Sequence, residues 1–358
     1  MRAYLAIVLA VILQCGSAPR ACAALPIARD TIAASIEVDS GRRVVVITAG
    51  AWTLLPAGNT GGGAHDGHHT ASAIRFVWPV DGWVHGLRFR AFARDGRSVS
   101  RAMLHHLEIL NPGRRDLFLQ MPERTFEMGS ETADILLPAT VGIPVTAGAP
   151  MAVSIAWRNA GTDTLHDVMV ELTVDWTPVN MMPRPVTVLP VTMQVLTSGG
   201  ETSFDVPPGQ GTWATDYPLS IDGRVLAFGG HLHDYGIDIQ LSDVSVSPAR
   251  PMLRLASQHD GTGRVTGVER KEPGVAGSGI KLRAGHVYQL VGRYANSSGR
   301  MIAHGGMAYL VILFAPGRPD AWPPADTGSV VYRAALASHG LSGTAMPMAM
   351  HGPTVGHP

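Results

Sequence analysis

The chain has 358 residues, of which 46% are hydrophobic and 16% charged, with a formal net charge of +0. That length predicts two domains plus flanking segments, and the low, balanced charge excludes the basic footprint of a nucleic-acid or anionic-membrane binder. Both cysteines, Cys15 and Cys22, stand near the start, so the remaining chain has no disulfide framework and builds any metal site from His, Met, carboxylates or backbone oxygens.

In chain order, Met1-Arg2, an apolar run from Ala3 to Leu13 and the small residues Ala21-Cys22-Ala23 read as a secretory signal peptide over 1–23, cleaved near Ala23. The expected location is therefore secreted or periplasmic. The run is too short for a membrane span, and no later stretch reaches about 18 uninterrupted apolar residues, so no membrane span is expected in the mature chain.

Helical periodicity is nearly absent. Short β-branched or alternating runs recur at Arg43–Ile47, Met151–Ile155, Val168–Val174 and Leu310–Phe314, and 41 Gly and 26 Pro punctuate them. This pattern predicts an all-β chain of antiparallel β-sandwiches and not a parallel α/β sheet. An N-terminal sandwich is expected over 27–178 and a C-terminal one over 185–316, separated by a stretch containing Pro178, Pro183, Pro185 and Pro190. The Gly- and His-rich segment 58–70, with His65, His68 and His69, reads as a mobile loop. Residues 317–358, rich in Pro, Gly and Ala and carrying Met346, Met348, Met350, His351 and His357, read as a flexible tail.

Fifteen histidines are many for so uncharged a chain, and their grouping matters more than their number. His231 and His233 are one residue apart, which on an extended strand puts both rings on one face about 6–7 Å apart at Cα. Such a pair suits a metal ion and equally occurs on a solvated strand face. Met307 follows His304-Gly305-Gly306 at the start of an apolar strand. Its thioether is a soft ligand that favours Cu(I), and methionine also fills gaps in cores. His105 and His106 are adjacent in a strand-like run. Consecutive strand residues point to opposite faces, so the two share one ion only where the strand ends, twists or bulges; otherwise one ring lies in the core and the other in solvent.

Taken in order, the His105-His106 pair, the His231-x-His233 pair and the Gly305-Gly306-Met307 strand start resemble the copper type II, ascorbate-dependent monooxygenases, the family of peptidylglycine α-hydroxylating and dopamine β-monooxygenases. Leu104-His105-His106-Leu107 is similar to the family's first copper motif. The segments Tyr217-Pro218-Leu219 and Tyr294–Gly299 also fit, and the resemblance spans about residues 70 to 316. It implies two jelly-roll-like antiparallel β-sandwich domains facing each other across a solvent-filled cleft, with one copper in each. By the same resemblance His231, His233 and Met307 hold an oxygen-activating copper, His105 and His106 contribute to an electron-transfer copper, and an external reductant such as ascorbate drives hydroxylation of a small-molecule substrate by dioxygen.

Two departures stand out. Ala156 occupies the position of the first site's third histidine, leaving His166 and His85 as candidate replacements. Gly229-Gly230 and Ala308–Val311 lack the polar residues of a peptide-carboxylate clamp. The sequence thus supports two readings, an exported copper monooxygenase or a non-catalytic copper-binding protein for capture, storage or delivery. No nucleophile elbow, phosphate-binding loop or His-Glu-x-x-His helix occurs.

Overall fold

The computed structural model describes residues 33–56, 69–70, 74–274, 278–339 and 341. The expected signal segment, most of the His65–His69 loop and the Met/His residues of the tail lie outside the described residues.

The chain is all-β, as its alternating pattern predicts: 24 strands, one short helix and two 3-10 turns among the described residues, arranged as two jelly-roll-like sandwiches in sequence. The runs read from sequence lie within Val44–Leu54, Pro150–Trp157, Leu165–Pro178 and Ala308–Pro316. Pairing is antiparallel apart from the short parallel match of Val141–Val145 with Val186–Thr187.

In the first sandwich one sheet is built on Val44–Leu54, Leu165–Pro178 and Gly82–Ala93, and the facing sheet on Pro150–Trp157, Leu104–Arg115 and Pro122–Gly129. Their inner faces bury Ile47, Leu87, Leu107, Ile109, Ile155, Trp157 and Val170 in one core. Each fully buried side chain of this kind contributes about 1.5–3 kcal/mol, so alternation along the strands fixes which face turns inward. In the second sandwich, Leu189–Gln194, Ala308–Pro316 and Gly223–Leu232 form one sheet, and Gly209–Pro218, Val287–Asn296, Gly236–Asp243 and Arg250–His259 the main strands of another. Val191, Phe228, Ile239, Leu290, Leu310 and Phe314 fill its core.

The two sandwiches belong to one compact unit, joined by two devices. The loop after Leu104–Arg115 inserts Leu117 into the second core. There the buried Asp116 carboxylate accepts hydrogen bonds from Phe118 N at 2.8 Å and Leu119 N at 3.0 Å, and from Thr192 N of the second sandwich at 2.7 Å. The second device is the segment after Pro316. Composition suggests a flexible tail, yet residues Pro319–Leu341 return to the first sandwich. Trp322 Nε1 donates to Arg115 O at 3.0 Å, and helix Val330–Ser338 buries Tyr332, whose hydroxyl donates to Pro112 O at 3.0 Å. Leu341 then packs with Leu110 and Ala152. These three aromatic and aliphatic anchors outweigh the segment's turn-rich composition.

Candidate metal centre

The site lies where the two sandwiches meet, on the faces opposite their cores. Leu107 and Ile109 point into the first core, so His106 and Glu108 take the outer face, opposite Ala156 and Ser154 on one neighbour and Gly129 and Glu127 on the other. In the second sandwich Phe228 and Leu232 enter the core, which turns His231 the other way, in register with Tyr309. Gly230 packs tightly over that core: a Cβ there would meet Ile239 Cδ1 at 2.5 Å.

The adjacent His105 and His106 share a side because the strand is bulged between them. His106 pairs with Ala156 and Leu104 with Trp157, which leaves His105 as the extra residue. The two rings are 4.0 Å apart, centroid to centroid. His233, just past the end of Gly223–Leu232, completes the group, with its ring 5.7 Å from that of His105 and 6.3 Å from that of His106. One nitrogen from each of His105, His106 and His233 lies within 4.8 Å of the others. These three residues can hold a metal ion. Bonds of about 2.0–2.1 Å in tetrahedral array would need nitrogens about 3.4 Å apart, so small side-chain rotations would close the set on an ion.

The residue that joins the first histidine pair is therefore His233, from the other sandwich. Ala156 does stand directly across from His106. Neither proposed replacement joins the group: His85 is half-buried on Gly82–Ala93 in the other sheet, and His166 is exposed on Leu165–Pro178. Met307 sits beside His233 through its backbone, its carbonyl accepting from His233 N at 3.2 Å and its N–H donating to the Tyr294 hydroxyl at 3.0 Å.

His231 lies against the group, its ring 4.9 Å from that of His106 and 5.1 Å from that of His233. Its Nδ1 meets Glu131 Oε1 of the first sandwich at 2.5 Å, and its Nε2 is buried without a hydrogen-bond partner. Burial by itself pushes the Glu131 carboxyl up, but the charge and hydrogen bond of His231 hold it below its ordinary value. The converse applies to His231, which burial lowers and Glu131, Glu127 and Asp234 raise above the ordinary imidazole value. Tyr309 stacks on His231 at 4.8 Å, and burial together with Glu127 and Glu131 pushes its hydroxyl well up. Below it, buried Arg124 pairs with Glu108 at 2.9 Å and Glu127 at 3.8 Å. His339 closes this row, 3.1 Å from Glu108. A cavity of about 310 Å³ opens beside His231, lined among others by Arg124, Glu127, Phe228, Tyr309 and Val311.

Glu131 and Glu127 are the parts of this site that sequence reasoning misses. Tyr309 reads from sequence either as a packed strand aromatic or as a pocket-lining residue, and it lines the cavity beside His231. Glu131 lies past a strand end with no motif around it, and Gly129, whose missing side chain admits its carboxylate, is one glycine among many.

No family model matches the chain, and no curated protein matches it. Among solved structures it is similar to the STIV MCP, with a TM-score of 0.38 and 9% identity over 80% of this chain and 96% of that one. It is also similar to the mavirus major capsid protein, with a TM-score of 0.19 and 11% identity over 87% and 93% of the two chains. These findings correct the expectation of a copper type II monooxygenase. That family has no counterpart here among family models or curated proteins. The correction covers the copper monooxygenase function, with its hydroxylation by dioxygen, and the alternative of copper capture, storage or delivery. The geometry supplies a physical reason: the resemblance implies two separate coppers across an open cleft, whereas His105, His106 and His233 from both sandwiches form one group.

Proposed function

We propose that this protein is a double β-sandwich closed by a metal, in which one transition-metal ion at His105, His106 and His233 ties the outer face of the first sandwich to the second. The observation that carries this reading is the origin of the ligands: two come from a bulge in one sandwich and one from a strand end in the other, with nitrogens mutually within 4.8 Å. Neutral imidazoles suit zinc, copper, iron and nickel. Met307 adjoins His233 through its backbone carbonyl, and its thioether, brought to the ion, would favour copper over zinc.

An ion bound by ligands from both sandwiches stabilises the docked arrangement by mass action, about 2.7 kcal/mol at a free concentration 100 times Kd. The test is titration of metal-depleted protein with Cu(I), Cu(II) and Zn(II), read by elemental analysis and thermal unfolding. One ion per chain and a raised Tm are expected, with both effects lost in His106→Ala and His233→Ala. Absence of a retained ion, or undiminished binding in the two variants, overturns the reading.

A further inference from the structure

We propose that Glu131 is a positioning residue, reaching from the first sandwich to hold the His231 ring of the second against those of His106 and His233, and that it thereby sets the affinity of the His105, His106 and His233 centre. The inference rests on the metal reading above and adds to it a control across the junction. A carboxylate oxygen only accepts, so the 2.5 Å contact fixes the hydrogen on His231 Nδ1. Nε2, on the opposite edge of the ring, is buried and without a hydrogen-bond partner. The rings of His106 and His233 are the neighbours of His231, with centroids 4.9 and 5.1 Å from its own. A histidine fixed in this way, with a carboxylate on one nitrogen and the other left for a metal, has the outer-shell arrangement that orients metal ligands and raises their basicity.

Three further observations make the contact a built one. Both side chains are buried, 6% exposed for His231 and 7% for Glu131. Gly129 provides the space: a Cβ there would lie 2.4 Å from Glu131 Oε2. Gly129 is also in register with His106, so the residue that admits the carboxylate flanks a ligand. The stacked Tyr309 ring closes one face of His231, limiting its rotation. The charged and titratable groups facing His231 are Glu131, Glu127, Asp234, Tyr309, His106 and His233. Because Glu131 belongs to one sandwich and His231 to the other, the position of Nε2 depends on docking, and metal affinity and docking are reciprocally coupled.

The experiment compares the full chain with Glu131→Gln, Glu131→Ala and Gly129→Ala in two arms. In the metal-free protein, ¹⁵N shifts of His231 report its tautomer. At alkaline pH, where the ring is neutral, wild type is expected to show a protonated Nδ1 and bare Nε2, retained in Glu131→Gln, whose amide oxygen still accepts, and lost in Glu131→Ala. In the second arm Co(II) is the probe, with affinity and d–d spectrum as readouts and metal-free Tm as the folding control. Glu131→Ala and Gly129→Ala are expected to weaken Co(II) binding about 10–100-fold with a shifted spectrum, and Glu131→Gln to recover to within a few fold of wild type. A folded Glu131→Ala with unchanged affinity and spectrum overturns the proposal, as does equal weakening by Gln and Ala, which would trace the effect to charge alone. If wild type binds no Co(II), the metal reading fails, and the tautomer arm still decides whether Glu131 positions His231.

Discussion

Two buried polar clusters in this protein make opposite uses of the same residue types. On the outer sheet of the second sandwich, Asp238 is fully buried, and Arg254 and Arg293 engage both of its oxygens, with Arg254 Nε at 2.7 Å and Arg293 Nε at 2.7 Å. At the junction, Glu131 engages one nitrogen of His231 and leaves the other without a partner, beside three more imidazoles. A cluster whose donors and acceptors are all matched holds a fold together. One that brings three imidazole nitrogens within 4.8 Å of one another can hold a metal ion.

The comparison breaks most readily at the ligands. His106→Ala should lower metal affinity at least about 100-fold while shifting metal-free Tm little, since His106 lies outside both cores; calorimetric titration beside a melting curve checks both. Asp238→Ala should do the reverse, costing about 2 kcal/mol in urea unfolding with metal affinity unchanged, because two arginines lose their buried partner. The same cluster carries a pH signature. Burial alone would raise the Asp238 carboxyl, but the hydrogen bonds and charges of Arg293 and Arg254 hold it below its ordinary value. Its stabilisation is therefore complete above about pH 4, the unfolded carboxylate value, and is lost as pH falls through the lower folded value. Asp238→Asn should remove that part of the acid sensitivity.

A gain of ligand sharpens the same contrast. Ala156 is directly opposite His106, at the distance where cross-strand side chains meet. Ala156→His should tighten metal binding about tenfold, or roughly 1.4 kcal/mol, and an unchanged Kd would mean that the added ring points away from the centre. The smallest effect is expected at the return segment: Tyr332→Phe removes one hydroxyl bonded to Pro112 O and should cost about 1 kcal/mol, seen as faster proteolysis after Pro316.

Much of the fold was legible because strand alternation is a local property. Arg43–Ile47 and Val168–Val174 declare their strands through β-branched residues alone, and their pairing follows from the need to bury one face. The histidines were legible as pairs for the same reason. Their merger into one group was not, because it depends on two outer faces docking, and outer-face residues such as Glu127, Glu131 and Tyr309 carry no periodic signal that distinguishes docked from solvated. The return of Pro319–Leu341 was hidden likewise: its anchors Trp322, Tyr332 and Leu341 are too widely spaced to outweigh the surrounding Pro and Gly.

The bulge at His105 sets the size of this centre. Leu104 and Leu107 both face the core although three positions separate them, a spacing that a regular strand does not tolerate. Loss of one codon at His105 would restore regular pairing, keep both leucines inside and leave His106 opposite Ala156. The group that can hold a metal would then fall from three imidazoles to two, with the same leucines still facing the core.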